Sequence, residues 1–331
     1  LGKISHFIIL GGSLNSLNFC KFLKAKKVKF SLFLNKRQAN EIFGKKKLKL
    51  MLSQSGIKFF LTENLNKNKF FLNLNPINSL IIGFGEPWKI DLKILRLYKN
   101  RALDFMGIPM PMYRGGAHYT WMIINQSRIG GAYIQNIDAN TIQGKSDTNM
   151  FLFGKNYNYP SSLKIPIDFF NYSCKKELEV LKMFYRKVKL NSWFNLKTFK
   201  KKKSLFFPRL KSTENSYINW HYNDKDIFNF INAFDDPYKG AQTFIKNKKI
   251  FIKKIYKLKK IKVNFGEFSK GLIVNKNGGF VYIALNKCII ITKNIFDEKN
   301  NNIVNKIKIG QRLYTPYKYI DSAMKFLRND I

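Results

Sequence analysis

Ile4-Ser5-His6-Phe7-Ile8-Ile9-Leu10-Gly11-Gly12-Ser13 is a short apolar run that stops at two glycines and a serine. Leu17 to Leu23 follow in helical spacing, so the segment reads as strand, tight turn and helix. Outward from it, Val28 to Leu34 reads as a second strand and Ile57 to Phe60 as a third. Ser79 to Gly83 reads as a fourth, buried strand ending in Gly83-Phe84-Gly85. Strands that alternate with helical stretches build parallel βαβ units, hence an open α/β sheet with ligands beyond the carboxyl ends of its strands. Gly11-Gly12-Ser13 lacks the full G-x-G-x-x-G spacing and is a plain tight turn rather than a dinucleotide fingerprint.

Further along, Gly130 to Asp138 reads as a β-hairpin arm ending in an acidic turn, with Gly144 beyond. Pro160 to Lys189 is mostly helical, with Leu178, Leu181, Phe184 and Tyr185 spaced for one apolar face. The lysine run Lys200 to Lys203, followed by Pro208, is the best linker, and a solvated connector is its simplest reading. After it come a short helix at Ile227 to Phe234 and β runs at Thr243 to Phe251, Gly271 to Val274, Phe280 to Ala284 and Cys288 to Thr292. Turn residues such as Asn277-Gly278-Gly279 separate these runs, which is the signature of a small barrel or sandwich. The expected organisation is an α/β domain over 1–195, a basic linker over 196–213, a β-barrel domain over 214–318 and a tail over 319–331.

The 331 residues suffice for two domains, and 45% hydrophobic with 24% charged content excludes wholesale disorder and a collagen-like or repeat-only fibre. No apolar run reaches the roughly 18 residues of a membrane span, and Phe7 to Leu10 is too short for a signal-peptide core. Leu1 in place of Met is read as a trimmed start or a removed presequence. Cys20, Cys174 and Cys288 are odd in number and far apart, which suits a reducing compartment, a bacterial-type cytoplasm or an organellar matrix, and gives no metal-ligand spacing. The net charge of +40 invites a nucleic-acid reading through counterion release. Its texture supplies a second reading, because 51 of the 60 basic residues are Lys and nine are Arg, as codon drift toward A and T would produce on solvated faces. Under such drift a retained Arg is more informative than a Lys.

Residues Gly83 to Gly144 are the least Lys-biased and the richest in Gly, Pro and Arg, so the chemistry is expected there. The centre runs Asp104-Phe105-Met106-Gly107-Ile108-Pro109-Met110-Pro111-Met112-Tyr113-Arg114-Gly115-Gly116-Ala117-His118 and reads as a shaped loop opening a helix. This stretch resembles the family of formyltransferases that use 10-formyltetrahydrofolate, most closely the methionyl-tRNA and nucleotide-sugar members. The likeness is carried by Gly83-Phe84-Gly85-Glu86-Pro87-Trp88, Met110 to Gly115, the aromatic helix Tyr119 to Ile124, and Gly130 to Asp138 followed by Gly144. It continues through Ile218-Asn219-Trp220, Ile227 to Phe234, Pro237-Tyr238-Lys239-Gly240-Ala241-Gln242-Thr243 and Gly310-Gln311-Arg312-Leu313, which look like the C-terminal β-barrel of the tRNA-modifying members. The resemblance implies a Rossmann-like formyltransferase domain with a mostly parallel sheet, followed by a small OB-like barrel.

The resemblance also implies an Asn-x-His pair and a remote Asp that polarise the formyl carbonyl, accept a proton and steady the oxyanion. Counting from Arg114 and Gly115 places Asp104 at the Asn position and Met106 at the His position. The acid falls on Ile142, or on Gln143 with a slip of one, and Gly144 matches the family glycine. A carboxylate donates no hydrogen bond to an oxyanion and repels it, and a thioether exchanges no proton. His118 or Asp147 is a conceivable replacement, His118 being also a helix-start residue by position. Gly85, Trp88, Arg114, Gly115 and Gly144 are the implied folate-binding positions, with Phe84 beside them. Phe84 and Trp88 read equally as core, and Arg114 as a pin for the Gly115-Gly116 turn. Lys45, Lys46, Lys47 and Lys49 stand where the tRNA-modifying members carry a basic loop; a solvated face is the plainer reading. His221 reads as packing beside Trp220, and Asp235 and Asp236 as turn-shaping residues before Pro237.

Two functional readings follow. One is formyl transfer from 10-formyltetrahydrofolate to a primary amine, on methionyl-tRNA or an amino-sugar nucleotide, at an altered site. The other is a non-catalytic descendant of that fold serving as an RNA-binding or assembly protein. Fold alone does not decide between them.

Overall fold

The computed structural model describes residues 3–85, 88–110, 112–137, 150–190, 197–198, 205–260 and 264–325, with the backbone alone at 150–152, 197–198 and 257–260. In chain order the strands are β1 (His6–Leu10), β2 (Lys29–Leu34), β3 (Ile42–Phe43), β4 (Lys46–Lys47), β5 (Phe60–Leu61), β6 (Ser79–Gly83), β7 (Ala102–Met106), β8 (Tyr113–Gly115), β9 (Ile129–Asn136), β10 (Met150–Asn158) and β11 (Lys197–Thr198). They continue with β12 (Leu205–Phe207), β13 (Ala241–Ile245), β14 (Lys248–Lys253), β15 (Lys257–Lys260), β16 (Ile273–Asn277), β17 (Phe280–Ala284), β18 (Cys288–Thr292) and β19 (Asn294–Phe296). The longer helices are α1 (Leu14–Ala25), α2 (Leu48–Gln54), α3 (Leu92–Tyr98), α4 (His118–Ile124), α5 (Pro166–Lys189), α6 (Asp224–Ala233) and α7 (Tyr317–Met324). The chain forms two compact units: Leu1–Arg114, Ile129–Asn158 and Tyr172–Leu205 in the first, Gly115–Arg128, Tyr159–Asn171 and Phe206–Ile331 in the second.

The first unit is built on an eight-stranded sheet in the order β11-β10-β9-β7-β6-β1-β2-β5. Its β5, β2, β1, β6 and β7 run parallel, and β9, β10 and β11 extend it in antiparallel fashion. The uninterrupted apolar run of β1 is explained by burial on both faces, as in parallel sheets. Phe7 and Ile9 enter one core with Leu17 and Phe19 of α1 and Leu181 and Phe184 of α5. Ile8 and Leu10 enter another with Ile94, Leu95 and Tyr98 of α3. Each such fully buried side chain stabilises the fold by about 1.5–3 kcal/mol. His6 is buried at the start of β1, its Nε2 3.0 Å from the Ser31 hydroxyl. Burial and nearby Lys29 push its pKa down to about 4.

The strand–turn–helix reading of 4–25 and the strands at 28–34 and 79–83 match the structure. The β-hairpin arm expected over Gly130 to Asp138 is, as far as Ile137, strand β9 and its exit, pairing antiparallel with the next strand β10, and its other edge lies against β7 inside the sheet. One expectation changes. Residues 57–60 hold a strand only from Phe60, because β5 is a two-residue edge strand. The first-unit strand β10 carries no alternation that the sequence reading detected.

In the second unit α6 ends where Asp235, fully buried, accepts hydrogen bonds from the Asp236 and Lys254 backbone N–H groups, so the turn-shaping role of the Asp235-Asp236 pair holds. The strands fall into two antiparallel sheets, β13-β14-β19 and β15-β18-β17-β16. The run read as one element over 243–251 is a hairpin turning at Lys246 and Asn247, both with positive φ. Two successive positive φ values are what a two-residue hairpin turn requires. The Lys200 to Lys203 linker lies outside the described residues.

Candidate functional site

Strand register aligns the carboxyl ends of β1, β6 and β7, since Leu10 pairs with Gly83 and Gly83 with Asp104. The loops after β1 and β6 and the end of β7 therefore share one edge of the sheet, where α/β folds place ligands. The turn after β1 is capped internally: Ser13 Oγ accepts from Ser16 N at 3.2 Å, and Ser16 Oγ accepts from Ser13 N at 2.8 Å. The Gly85 carbonyl accepts from Gln38 Nε2 at 2.9 Å.

Side chains alternate along β7. Leu103 and Phe105 enter the core shared with α1 and α5, which sends Asp104 and Met106 to the opposite face. Asp104 pairs across the strands with Gln135, and its Oδ2 accepts from Gln135 Nε2 at 3.2 Å. Met106 lies opposite Tyr133, whose hydroxyl donates to Asn156 Oδ1 at 2.6 Å. Ile142, Gln143, Gly144, Asp138 and Asp147 lie outside the described residues.

A titratable group that the sequence reading missed sits on the other face. Glu177 of α5 is 1% exposed and receives hydrogen bonds from Asn15 Nδ2 at the start of α1 and, at 3.3 Å, from the Tyr157 hydroxyl. Desolvation outweighs both bonds and pushes its pKa up to about 7. The carboxyl lies against Gly107, directly after Met106: a Cβ there would stand 2.7 Å from Glu177 Oε1. The signal was present, since Glu177 is four residues before Leu181 and seven before Phe184, on the buried stripe of an amphipathic helix.

The remaining candidates separate. Phe84 is core, packed against Phe105 and Phe19. Trp88 packs on the α3 side of the sheet, its indole nitrogen buried without a hydrogen-bond partner. The Arg114 Nε is buried without a hydrogen-bond partner. Gly115 has φ 110°, and a Cβ would collide with the Phe207 carbonyl oxygen, so backbone approach demands this glycine. His118 is the first residue of α4, its ring 5.5 Å from that of Tyr119, and burial pushes its pKa down to about 4. It belongs to the second unit, whereas Asp104 and Met106 belong to the first. Lys45, Lys46 and Lys47 are exposed on the β3–β4 hairpin, and Lys49 is half-buried in α2. His221 is exposed rather than packed; Trp220 beside it is the buried one, donating to Thr243 Oγ1 at 2.9 Å. Among the described residues no cluster of His, Cys, Asp or Glu could hold a metal ion. No helix among them is long and apolar enough to cross a membrane.

The first unit is thus a parallel sheet extended by antiparallel strands, and the second combines helices with two small antiparallel sheets. The family described as "Formyl transferase, C-terminal domain" matches residues 211–307. The chain is 22% identical over 264 residues to the bifunctional polymyxin resistance protein ArnA of Wigglesworthia glossinidia brevipalpis, covering 78% of this chain and 38% of that protein. It is 23% identical over 238 residues to the methionyl-tRNA formyltransferase of Halothermothrix orenii, covering 67% of each. The crystal structure of WlaRD, a sugar 3N-formyl transferase, in the presence of dTDP and 5-N-formyl-THF shares the fold, with a TM-score of 0.61, 17% identity and coverage of 88% of this chain and 97% of that one. The sequence likenesses are to formyltransferases, and residues 211–307 carry the match to that family's C-terminal domain.

Proposed function

We propose that the chain holds a formylated reduced folate, 10-formyltetrahydrofolate, at the carboxyl edge of the first unit's sheet and presents it to a primary amine on methionyl-tRNA or an amino-sugar nucleotide. In this reading transfer is slow, because Asp104, Met106 and Ile142 occupy the positions of the family's Asn, His and Asp. Fit to a folate is supported by two buried polar atoms without hydrogen-bond partners in the first unit, Trp88 Nε1 and Asn136 Oδ1, a donor and an acceptor that the polar edge of a pterin can satisfy. Gly85, Arg114 and Gly144 complete the proposed folate-binding set. The bound donor supplies an electrophilic formyl carbon.

The observation that supports the reading is the Asp104–Gln135 hydrogen bond in strand register, which fixes an acidic side chain at the position that the family resemblance gives to a neutral oxyanion donor. Loss of one oxyanion donor costs about 10²–10³ in rate, and loss of positioned acid–base work about 10²–10⁴. Binding of 5-formyltetrahydrofolate, read by tryptophan fluorescence, should survive while single-turnover formylation of methionyl-tRNA stays at least about 10²-fold below that of the Asp104→Asn/Met106→His variant. Full-rate transfer by the unaltered chain, or no folate binding, defeats the proposal. The exposed β3–β4 lysines favour a second reading, a non-catalytic RNA-binding or assembly protein. Tight, salt-sensitive RNA binding without folate binding would select it.

A further inference from the structure

The second unit encloses a cavity of about 250 Å³ between α4, the turn after it and α6. Arg128, Lys164 and Lys225 contribute three cations to its lining, Asn229 and Asn232 two amides, and no carboxylate takes part. The nearby acids are committed elsewhere. Asp168 accepts from the Lys164 and Ile165 backbone, Asp224 from the Asn286 and Lys287 backbone, and Asp226 pairs with Asn223.

Arg128 is held ready rather than spent. Its Nη1 donates to the Pro160 and Leu163 carbonyls at 3.3 and 2.7 Å, and its guanidinium stacks on the Phe169 ring at 5.1 Å. That fixes the plane of the fork and leaves the Nε and Nη2 donors over. Asn229 Nδ2 is a buried donor without a hydrogen-bond partner, an arrangement that costs stability until an acceptor arrives. Three cations, a surplus planar fork and an unsatisfied amide around one hole call for a compact anion with several acceptor oxygens.

We propose that this cavity of the second unit binds a phosphoryl group, held by Arg128, Lys164, Lys225 and the Asn229 amide. The phosphoryl can come from a small phosphorylated molecule or from an RNA backbone. Asn229→Leu removes the orphaned donor and keeps the side-chain volume, so that variant folds; Lys225→Glu changes an exposed side chain. Titration of the full chain with inorganic phosphate, followed by calorimetry and thermal shift against sodium chloride of equal ionic strength, should show saturable binding. Lys225→Glu/Asn229→Leu should weaken it at least about tenfold, as expected from losing one charge-assisted bond, while Lys293→Glu leaves it unchanged. A parallel titration with single-stranded RNA separates the sources: RNA binding abolished in the double variant and competed by phosphate assigns the group to the backbone, and phosphate binding without such competition assigns it to a small molecule. No stabilisation beyond chloride, or equal phosphate affinity in the double variant and the parent, overturns the proposal.

Discussion

Glu177 shows how burial sets the chemistry of a single side chain. Its folded pKa of about 7 lies above the ordinary carboxylate value of 4.5, so folding favours the protonated form. The stability this contributes is complete below pH 4.5 and is lost as pH rises through 7, on the order of a few kcal/mol for a shift of this size. Glu177→Gln, which keeps the shape and removes the titration, should flatten the fall in stability between pH 5 and 8 in urea unfolding; a slope equal to the parent's would show that Glu177 does not titrate in this window. His6 acts in the opposite sense. Its lowered pKa adds stability above about 6.5 that is lost as pH falls toward 4, and the unaltered His6 background is common to both proteins compared.

Among the elements, the β3–β4 hairpin is the clearest separable module. It is two residues long on each side, and Lys45, Lys46 and Lys47 stand exposed on it. Exposed charges of this kind contribute little to stability, so their reversal tests binding without disturbing the fold. On the RNA-binding reading, Lys45→Glu/Lys46→Glu/Lys47→Glu should lower the slope of log affinity against log salt by about 2, at roughly 0.7 for each phosphate no longer neutralised, with unchanged thermal stability. An unchanged slope would make the hairpin a solvated face. The helix α5 teaches a different lesson. Its amphipathic period was legible, yet Glu177 on the buried stripe shows that one face can serve both as packing surface and as a polar anchor for the turn at Gly107.

For the chain taken together, a net charge of +40 on 331 residues means self-repulsion in the compact state. Salt screens that repulsion over about 10 Å at 0.1 M. Raising sodium chloride from about 0.05 to 0.5 M should therefore raise the midpoint of thermal unfolding, and a falling midpoint would mean that the charges are paired more than the few ion pairs of the described residues indicate.

Much of the architecture was readable in order along the chain, because strands buried on both faces are written as short apolar runs ending at glycines and helices as 3.6-residue stripes. The family resemblance was equally readable, since it depends on residue identity and spacing alone, and so was the expectation that Asp104 and Met106 stand at two of the family's polar positions. The insertion of β9 between β7 and β10, the exposure of His221 and the breaking of 243–251 into a hairpin were not, because strand pairing and solvent access are decided by partners distant in sequence. For the same reason only the folded chain could bring Asn15, Gly107, Tyr157 and Glu177 together, or Arg128, Lys164, Lys225 and Asn229. Ionisation and unsatisfied hydrogen bonds depend on what surrounds an atom in space, and local sequence carries no record of that surrounding.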